Sequence, residues 1–166
     1  MKFLRESAIA VSTLGPLGKL PAPGTWGSAA GVGLYAVVFH GYNSAGRWET
    51  FALIAFFAAA FATVFCHLGE LFLKKKDPGC IILDEFVAMP LVFAGFGVVL
   101  RSARNAWAWY LAGFLLFRLF DIAKPFGIRA LQRVGGGFGI VVDDLVAAAY
   151  ACGCLHAVHW LVGYLR

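Results

Sequence analysis

The sequence predicts an all-α fold, a polytopic helical membrane protein with four to five transmembrane helices and a polar site at the cytoplasmic end. The composition is the first observation: 61% of the 166 residues are hydrophobic and only 14% are charged, whereas soluble domains carry about 25% charged residues. A soluble domain of this size cannot bury so much apolar surface, so a soluble globule and a disordered chain are both excluded. The length fits one domain covering residues 1–166.

Long apolar stretches are the second observation. They are residues 25–42, 51–68, 80–100, 106–123 and 145–165. As helices, stretches of about 18–21 residues extend roughly 27–31 Å, which matches one hydrocarbon core. The first stretch is rich in glycine and is the weakest candidate, so we expect four or five spans. Asn105 stands in the N-cap position of the fourth, and Pro125 ends that helix near Lys124.

The basic residues are divided unequally between the two sides of the predicted bundle. Five spans put the N-terminus, residues 69–79 and residues 124–144 on one side. That side and its helix ends hold Lys2, Arg5, Lys19, Lys74, Lys75, Lys76, Arg118, Lys124, Arg129 and Arg133, and the other side holds Arg47, Arg101, Arg104 and Arg166. Short loops rich in Lys and Arg stay in the cytoplasm, so the first side is predicted to face it. The basic residues form no long run and do not alternate with aromatic residues, which excludes nucleic acid as the partner.

Clustered acids are the third observation. Eight of the nine lie on or just inside the predicted cytoplasmic side, and five of these fall at the ends of three spans: Asp84, Glu85, Asp121, Asp143 and Asp144. Ionisable residues inside a membrane are costly and mark functional sites, and clustered carboxylates repel unless a proton or a cation neutralises them. Because Mg²⁺ takes oxygen ligands, we expect these five residues to hold Mg²⁺ and one of them to act as the catalytic base.

Two cations lie among these acids. Arg118, Asp121 and Lys124 are spaced three residues apart, which roughly shares one helix face. A guanidinium holds a phosphate through two hydrogen bonds and an ammonium adds a point charge, so we expect Arg118 and Lys124, together with Lys19, to bind phosphate. The alternative is structural: the two cations pair with the acids as interhelical salt bridges, or Arg118 extends to the lipid headgroups.

Two glycine-rich segments precede predicted helices. In residues 15–28, GPLGKLPAPGTWGS, the glycines allow close backbone contact, and Thr25 and Ser28 offer hydroxyls to a substrate or cap the helix. A helix start of this kind presents free N–H groups to an anion, although a plain cap explains it equally well. Residues 135–139, GGGFG, are either flexible or a point of close approach. His156 and His159 are predicted to pack near the outer face, and His67 either packs at the interface or assists proton transfer.

Four segments carry a family resemblance. APGTWGS at 22–28, DPGCIILDE at 77–85, FRLFDIAKP at 117–125 and GIVVDD at 139–144 resemble, in order, the signature segments of the phosphatidylglycerophosphatase A family. The likeness runs from about residue 15 to residue 148. It implies Mg²⁺-dependent removal of the terminal phosphate from phosphatidylglycerophosphate, giving phosphatidylglycerol, with a phospholipid substrate in the bilayer of the bacterial cytoplasmic (inner) membrane. The oligomeric state stays open.

Two other functions compete with this interpretation. A CDP-alcohol phosphotransferase also uses Mg²⁺ and clustered aspartates, but the chain lacks the run of Asp, Gly, Ala and Arg residues that this class needs. A small ion- or proton-coupled transporter would also carry intramembrane acids. Against it, the charges cluster at one side rather than near the midplane.

Overall fold

The computed structural model describes residues 2–125 and 135–165, and within these ranges its regular structure is entirely helical. Arg129 and Arg133, counted above among the cytoplasmic basic residues, lie outside the described residues. The helices are α1 (Lys2–Ser12), α2 (Pro23–Leu34), α3 (His40–Ser44), α4 (Trp48–Leu73), α5 (Leu83–Val92), α6 (Gly97–Ser102), α7 (Ala106–Ala123) and α8 (Gly137–Tyr164). The all-α prediction is therefore confirmed.

Three helices in the described ranges, α4, α7 and α8, are long and apolar enough to cross a membrane. On α7, Leu111, Leu115, Leu119 and Ile122 recur every three or four residues, and all four are exposed. A soluble protein would bury such a stripe, whereas lipid solvates it. The membrane class is confirmed, and the count of four to five spans is not.

The predicted span 80–100 is two short helices, α5 and α6, joined by a turn. Pro90 lies in the last turn of α5, and Gly95 has a φ of +78°, a conformation that glycine adopts without strain. The carbonyls at this helix end need partners inside the bundle. Asn43 Nδ2 donates to Phe93 O at 2.6 Å, and His156 Nε2 lies 2.9 Å from Ala94 O.

The glycine-rich stretch 25–42 is helical throughout, because a π-helical turn at Tyr35–Phe39 connects α2 to α3. Two of its glycines, Gly27 and Gly31, face α5: a Cβ on Gly31 would lie 2.6 Å from the Cβ of Met89. The expectation that Thr25 or Ser28 caps this helix is wrong. Ala22 occupies the N-cap with a φ of 53° and no side-chain bond, and the Ser28 hydroxyl donates instead to the Gly24 carbonyl at 2.8 Å.

The start of α8 also differs from the prediction. The helix begins at Gly137, so Asp143 and Asp144 lie about two turns inside it rather than at its opening. At Gly137 a Cβ would overlap the Thr63 carbonyl and lie 2.5 Å from the His67 amide nitrogen. The segment 135–139 therefore contains a point of close approach to α4, as one of the two predicted alternatives required.

The starts of α2, α5 and α8 and the ends of α4 and α7 meet at one end of the bundle, which we call the acidic end. The helix α1 is attached there, since the Ile82 amide donates to the Ser12 carbonyl at 3.0 Å. The opposite end contains Asn43, the turn around Gly95, and His156. The segments predicted to share one side of the membrane thus lie together wherever the structure describes them.

Asn43 provides a test of what holds the turn between α5 and α6. Its side chain is buried and bonds to the Tyr35 hydroxyl (2.6 Å), the Phe93 carbonyl and the Gly95 amide (3.2 Å). Leaving a buried polar group unpaired costs about 1–3 kcal/mol, so Asn43→Ala should lower the free energy of unfolding by at least about 2 kcal/mol. Denaturant titration in detergent measures this.

Ser44→Ala is the matched control, because that exposed hydroxyl bonds only within its own helix, to the Gly41 carbonyl. It should stay within about 0.5 kcal/mol of the wild type. Equal stability of the Asn43 and Ser44 variants would contradict the role assigned to Asn43.

Candidate active site

Three carboxylates from two helices converge at the acidic end. Asp84 and Glu85 stand in the first turn of α5, and Asp144 faces them from α8. One oxygen from each lies within 4.8 Å of the other two. Asp84 Oδ1, Glu85 Oε2 and Asp144 Oδ2 are buried and accept no hydrogen bond from any described residue.

Such a cluster is unstable unless its charge is balanced. Burying an ionised carboxylate costs several kcal/mol even after relaxation, and each neighbouring carboxylate adds repulsion. A donor set made only of carboxylate oxygens suits a hard divalent cation such as Mg²⁺, Mn²⁺ or Ca²⁺. The carboxylate oxygens of these residues fit such an ion in type and spacing, and each residue keeps one oxygen without a hydrogen-bond partner.

The other two predicted ligands, Asp121 and Asp143, are ion-paired. Asp121 Oδ2 accepts a hydrogen bond from Arg118 Nη1 at 2.7 Å. Asp143 Oδ2 accepts one from Lys124 Nζ at 2.5 Å, and the same ammonium lies 3.8 Å from Asp121 Oδ1. The salt-bridge alternative therefore describes these two acids and, more weakly, Glu85, whose Oε1 lies 3.9 Å from Arg118 Nη1. The unpartnered oxygens belong to Asp84, Glu85 and Asp144. The structure brings all five to the same end of the bundle, and their role as metal ligands stays a prediction.

Arg118 connects the ion pairs to the carboxylate cluster. Its Nη1 atom, besides bonding Asp121, lies 3.9 Å from Glu85 Oε1 and donates to Ser28 Oγ at 3.4 Å. Ser28 is fully buried, so it holds the guanidinium from the α2 side. Sequence analysis did not predict this orienting contact, since the only signal is one polar residue in a glycine-rich helix.

Lys124 lies just past the end of α7, where Pro125 follows it. Its φ of 43° is left-handed, which turns the chain away from the helix and leaves the ammonium beside Asp143. Burial lowers the pKa of Lys124, but the hydrogen bond to Asp143 and the neighbouring aspartate charges raise it further, so the pKa lies above its ordinary value. The side chain therefore remains a cation at neutral pH.

The start of α2 covers this group of charges. A Cβ on Gly24 would overlap Glu85 Oε1 and lie 3.1 Å from Arg118 Nη1, and one on Gly27 would lie 2.9 Å from the Ile82 carbonyl. The close backbone contact expected of these glycines is thus present. Lys19 and Thr25, also predicted to bind substrate, are exposed, and within the described residues neither side chain forms a hydrogen bond or ion pair with a carboxylate.

Two of the histidines singled out in the sequence lie at the opposite end of the bundle from these carboxylates. His156 and His159 contact the Phe96 ring at the opposite end, with ring centroids 5.2 and 5.3 Å away, which confirms that they pack there. His67, which is on α4, lies against Gly136 and Gly137 at the start of α8. Its predicted alternative role in proton transfer stays a prediction.

Comparison with known proteins identifies the family. A family model described as phosphatidylglycerophosphatase A matches residues 10–159. The chain belongs to this family. It is 35% identical over 144 residues to a Haemophilus influenzae protein named phosphatidylglycerophosphatase A, covering 86% of this chain and 82% of that one. The Escherichia coli protein of that name is 33% identical over 147 residues, covering 86% and 78%.

A Bacteroides thetaiotaomicron protein is 32% identical over 146 residues, covering 86% of both chains, and its name gives phosphatidylinositol-3-phosphatase only as a provisional activity. No solved structure matches the chain. Membership of the phosphatidylglycerophosphatase A family confirms the prediction of a membrane phosphatase, a phosphoric monoester hydrolase.

The close approach of α2 to Glu85 and Arg118 at Gly24 can be tested by adding one methyl group. In Gly24→Ala the new Cβ displaces Glu85 and Arg118, so the chain should still fold while phosphate release from a phospholipid monoester falls at least tenfold, equivalent to about 1.4 kcal/mol. Gly33→Ala is the control in the same helix, because a Cβ there meets no atom within 4 Å, and it should change release by less than twofold. Equal activity of the two variants would show that the packing of α2 on these charges is not needed.

Proposed function

We propose that the protein removes the terminal phosphate of phosphatidylglycerophosphate in a Mg²⁺-dependent hydrolysis. The product, phosphatidylglycerol, enters glycerophospholipid biosynthesis, and the reaction occurs at the cytoplasmic face of the bacterial inner membrane. One observation supports this most: three carboxylates, each with a buried and unpartnered oxygen, stand beside two cations at one end of an apolar bundle. Two relatives named phosphatidylglycerophosphatase A support the choice of substrate.

Asp84, Glu85 and Asp144 would hold the metal directly, with Asp121 and Asp143 beside them as further ligands or as counter-ions of Arg118 and Lys124. When bound, Mg²⁺ supplies a water of lowered pKa and offsets negative charge on the phosphoryl oxygens. The chain itself supplies the base: one carboxylate of the cluster accepts a proton from the attacking water.

Arg118 and Lys124 would bind the substrate phosphate. Each already donates to a carboxylate oxygen, and phosphate oxygens are acceptors of the same kind. Ser28 keeps the guanidinium oriented, while the exposed Lys19 and Thr25 would contact the headgroup where it enters. Because the acidic end lies at the end of an apolar bundle, the acyl chains can stay in the bilayer during the reaction.

A substrate panel tests the activity. Four lipids are supplied separately to the purified protein in detergent: phosphatidylglycerophosphate, phosphatidate, lysophosphatidate and phosphatidylinositol-3-phosphate. The phosphate released from each is measured with Mg²⁺ and after chelation with EDTA. Fastest release from phosphatidylglycerophosphate, abolished by EDTA and restored by Mg²⁺, is the expected result. Faster release from phosphatidylinositol-3-phosphate would move the substrate toward the activity named for the Bacteroides relative. Full release in EDTA would refute the metal.

Asp144→Asn separates a metal ligand from a structural acid, since it removes the charge at nearly constant volume. Losing an electrostatic group that acts in the transition state commonly costs about 2.7–4 kcal/mol, so phosphate release should fall at least roughly 10²-fold. Binding to the native state raises thermal stability, so Mg²⁺ should raise the melting temperature of the wild type and not of the variant.

His159→Ala is the paired control, because that ring packs against Phe96 and Trp109 at the opposite end. Its turnover should stay within about threefold, less than the tenfold change that 1.4 kcal/mol would give. A folded, active Asp144→Asn protein beside a folded, inactive His159→Ala protein would move the chemistry to the other side of the membrane.

The orientation is tested with a cysteine reporter. Lys75 is exposed just beyond α4 at the acidic end, and the excess of basic residues on this side predicts that it faces the cytoplasm. In a variant with the four native cysteines replaced by Ser, Lys75→Cys should react with a membrane-impermeant maleimide in inverted vesicles and not in intact spheroplasts. Arg104→Cys, on the opposite side, should show the reverse. The opposite pattern for both would invert the proposed topology.

A further inference from the structure

A groove runs along the last turns of α4 where the start of α8 packs against it. Two cavities form it, and they share Gly135 and Gly136. None of their lining residues belongs to the carboxylate cluster or to its cations. The groove is therefore distinct from the candidate active site, although it opens at the same end of the bundle.

The half of the groove nearer the membrane centre is mainly apolar. It has a volume of about 380 Å³ and is lined by residues that include Thr63, Val64, His67, Leu68 and Phe138. Val64 and Phe138 are exposed to 56% and 58%, so the cavity opens sideways toward lipid. A hydrocarbon chain can enter this half directly from the bilayer.

The other half is basic. It has a volume of about 320 Å³ and is lined by Lys74, Lys75 and Lys76 as well as Glu70 and Leu71. The three lysines are exposed, and none forms an ion pair with a described residue. Glu70 offsets one charge and already accepts a hydrogen bond from the Asp77 amide at 2.7 Å. The net charge of this lining is positive.

An apolar pocket that continues into a basic one matches the chemistry of a lipid with an anionic headgroup. The acyl chain of such a lipid would lie at the depth of Val64, and its phosphate would reach the lysines at the water interface. Basic pockets beside membrane helices bind anionic headgroups, and several nearby lysines add their attraction. A zwitterionic lipid would gain less electrostatic attraction from the lysines, and a free phosphate would leave the apolar half of the groove unfilled.

We infer that this groove is a second lipid site, which binds an intact anionic phospholipid apart from the site of hydrolysis. Close packing of α8 on α4 forms it, since Gly137 contacts the backbone of Thr63 and His67. The inference does not depend on the proposed reaction, because the ligand needs no phosphate monoester.

Photolabelling tests the site with phosphatidylserine that carries a diazirine in one acyl chain. Phosphatidylserine is neither the substrate nor the product of the proposed reaction. In phosphatidylcholine nanodiscs, labelled residues should concentrate at 63–68 and at 138. Excess unlabelled phosphatidylserine should reduce this labelling at least tenfold, while excess phosphatidylcholine or inorganic phosphate should change it less than twofold.

Two variants remove the two halves separately. A triple variant removes the positive charge of the basic half: Lys74→Gln, Lys75→Gln and Lys76→Gln. A single variant, Val64→Trp, fills the apolar half. Each should reduce labelling at least fivefold while phosphate release stays within threefold of the wild type. The matched controls are Arg101→Gln with Arg104→Gln at the opposite end, and Leu115→Trp, whose side chain is also exposed to 56%. Both controls should label as the wild type does.

Even labelling of all lipid-facing helices, equal competition by phosphatidylcholine, or labelling unchanged by the triple lysine variant would refute the site. Competition by inorganic phosphate alone would assign the lysines to a soluble anion and would also overturn the inference. If the wild-type protein releases no phosphate from phosphatidylglycerophosphate but is still labelled in the groove, the proposed function is refuted and the second lipid site stands.

Discussion

The burial of carboxylates inside an apolar bundle is the constraint on which the rest of the structure depends. Asp84 and Asp144 are only 6% and 3% exposed, and a buried charge without compensation would unfold a small protein. The five acids at the acidic end fall into two groups under this constraint. Asp121 and Asp143 have cations within hydrogen-bond distance, whereas Asp84, Glu85 and Asp144 each keep a buried oxygen that accepts no hydrogen bond from a described residue. Only the second arrangement leaves room for a ligand from outside the chain.

Close helix packing makes this arrangement possible. The face of α8 that carries Asp144 continues through Ala147, Ala148 and Ala151, all fully buried, and small side chains let membrane helices approach closely. Glycines do the same where α2 crosses α5 and where α8 meets α4. The short helix α5 fits into this packing. Its first turn carries two acids into the bundle, and the backbone carbonyls just past its other end are hydrogen-bonded by Asn43 and His156.

The sequence predicted the class, the acidic end and the residues that meet there, because charge is rare in such an apolar chain and each charged position is informative. It predicted α7 at its observed bounds, since Asn105 and Pro125 delimit that helix. It missed the break between α5 and α6, because an apolar run with one Pro and several glycines also fits a single span. It also could not divide the five acids into paired and unpaired sets. That division depends on the side to which Arg118 and Lys124 turn, which three-dimensional packing decides.

The division of the acids has a consequence for how the proposed ligands would bind. Arg118 and Lys124 each hold a carboxylate, and a phosphate would need the same N–H groups. A divalent cation at Asp84, Glu85 and Asp144, as proposed, would add positive charge beside Asp121, so that acid would depend less on its two cationic partners. The two cations would then become available to the phosphate, and the phosphate would in turn offset the charge of the metal. Binding free energies coupled in this way are reciprocal, so each ligand strengthens the binding of the other. The ion pairs at the acidic end would thus hold Arg118 and Lys124 in place before either ligand binds, and they would make the binding of the proposed metal and substrate cooperative.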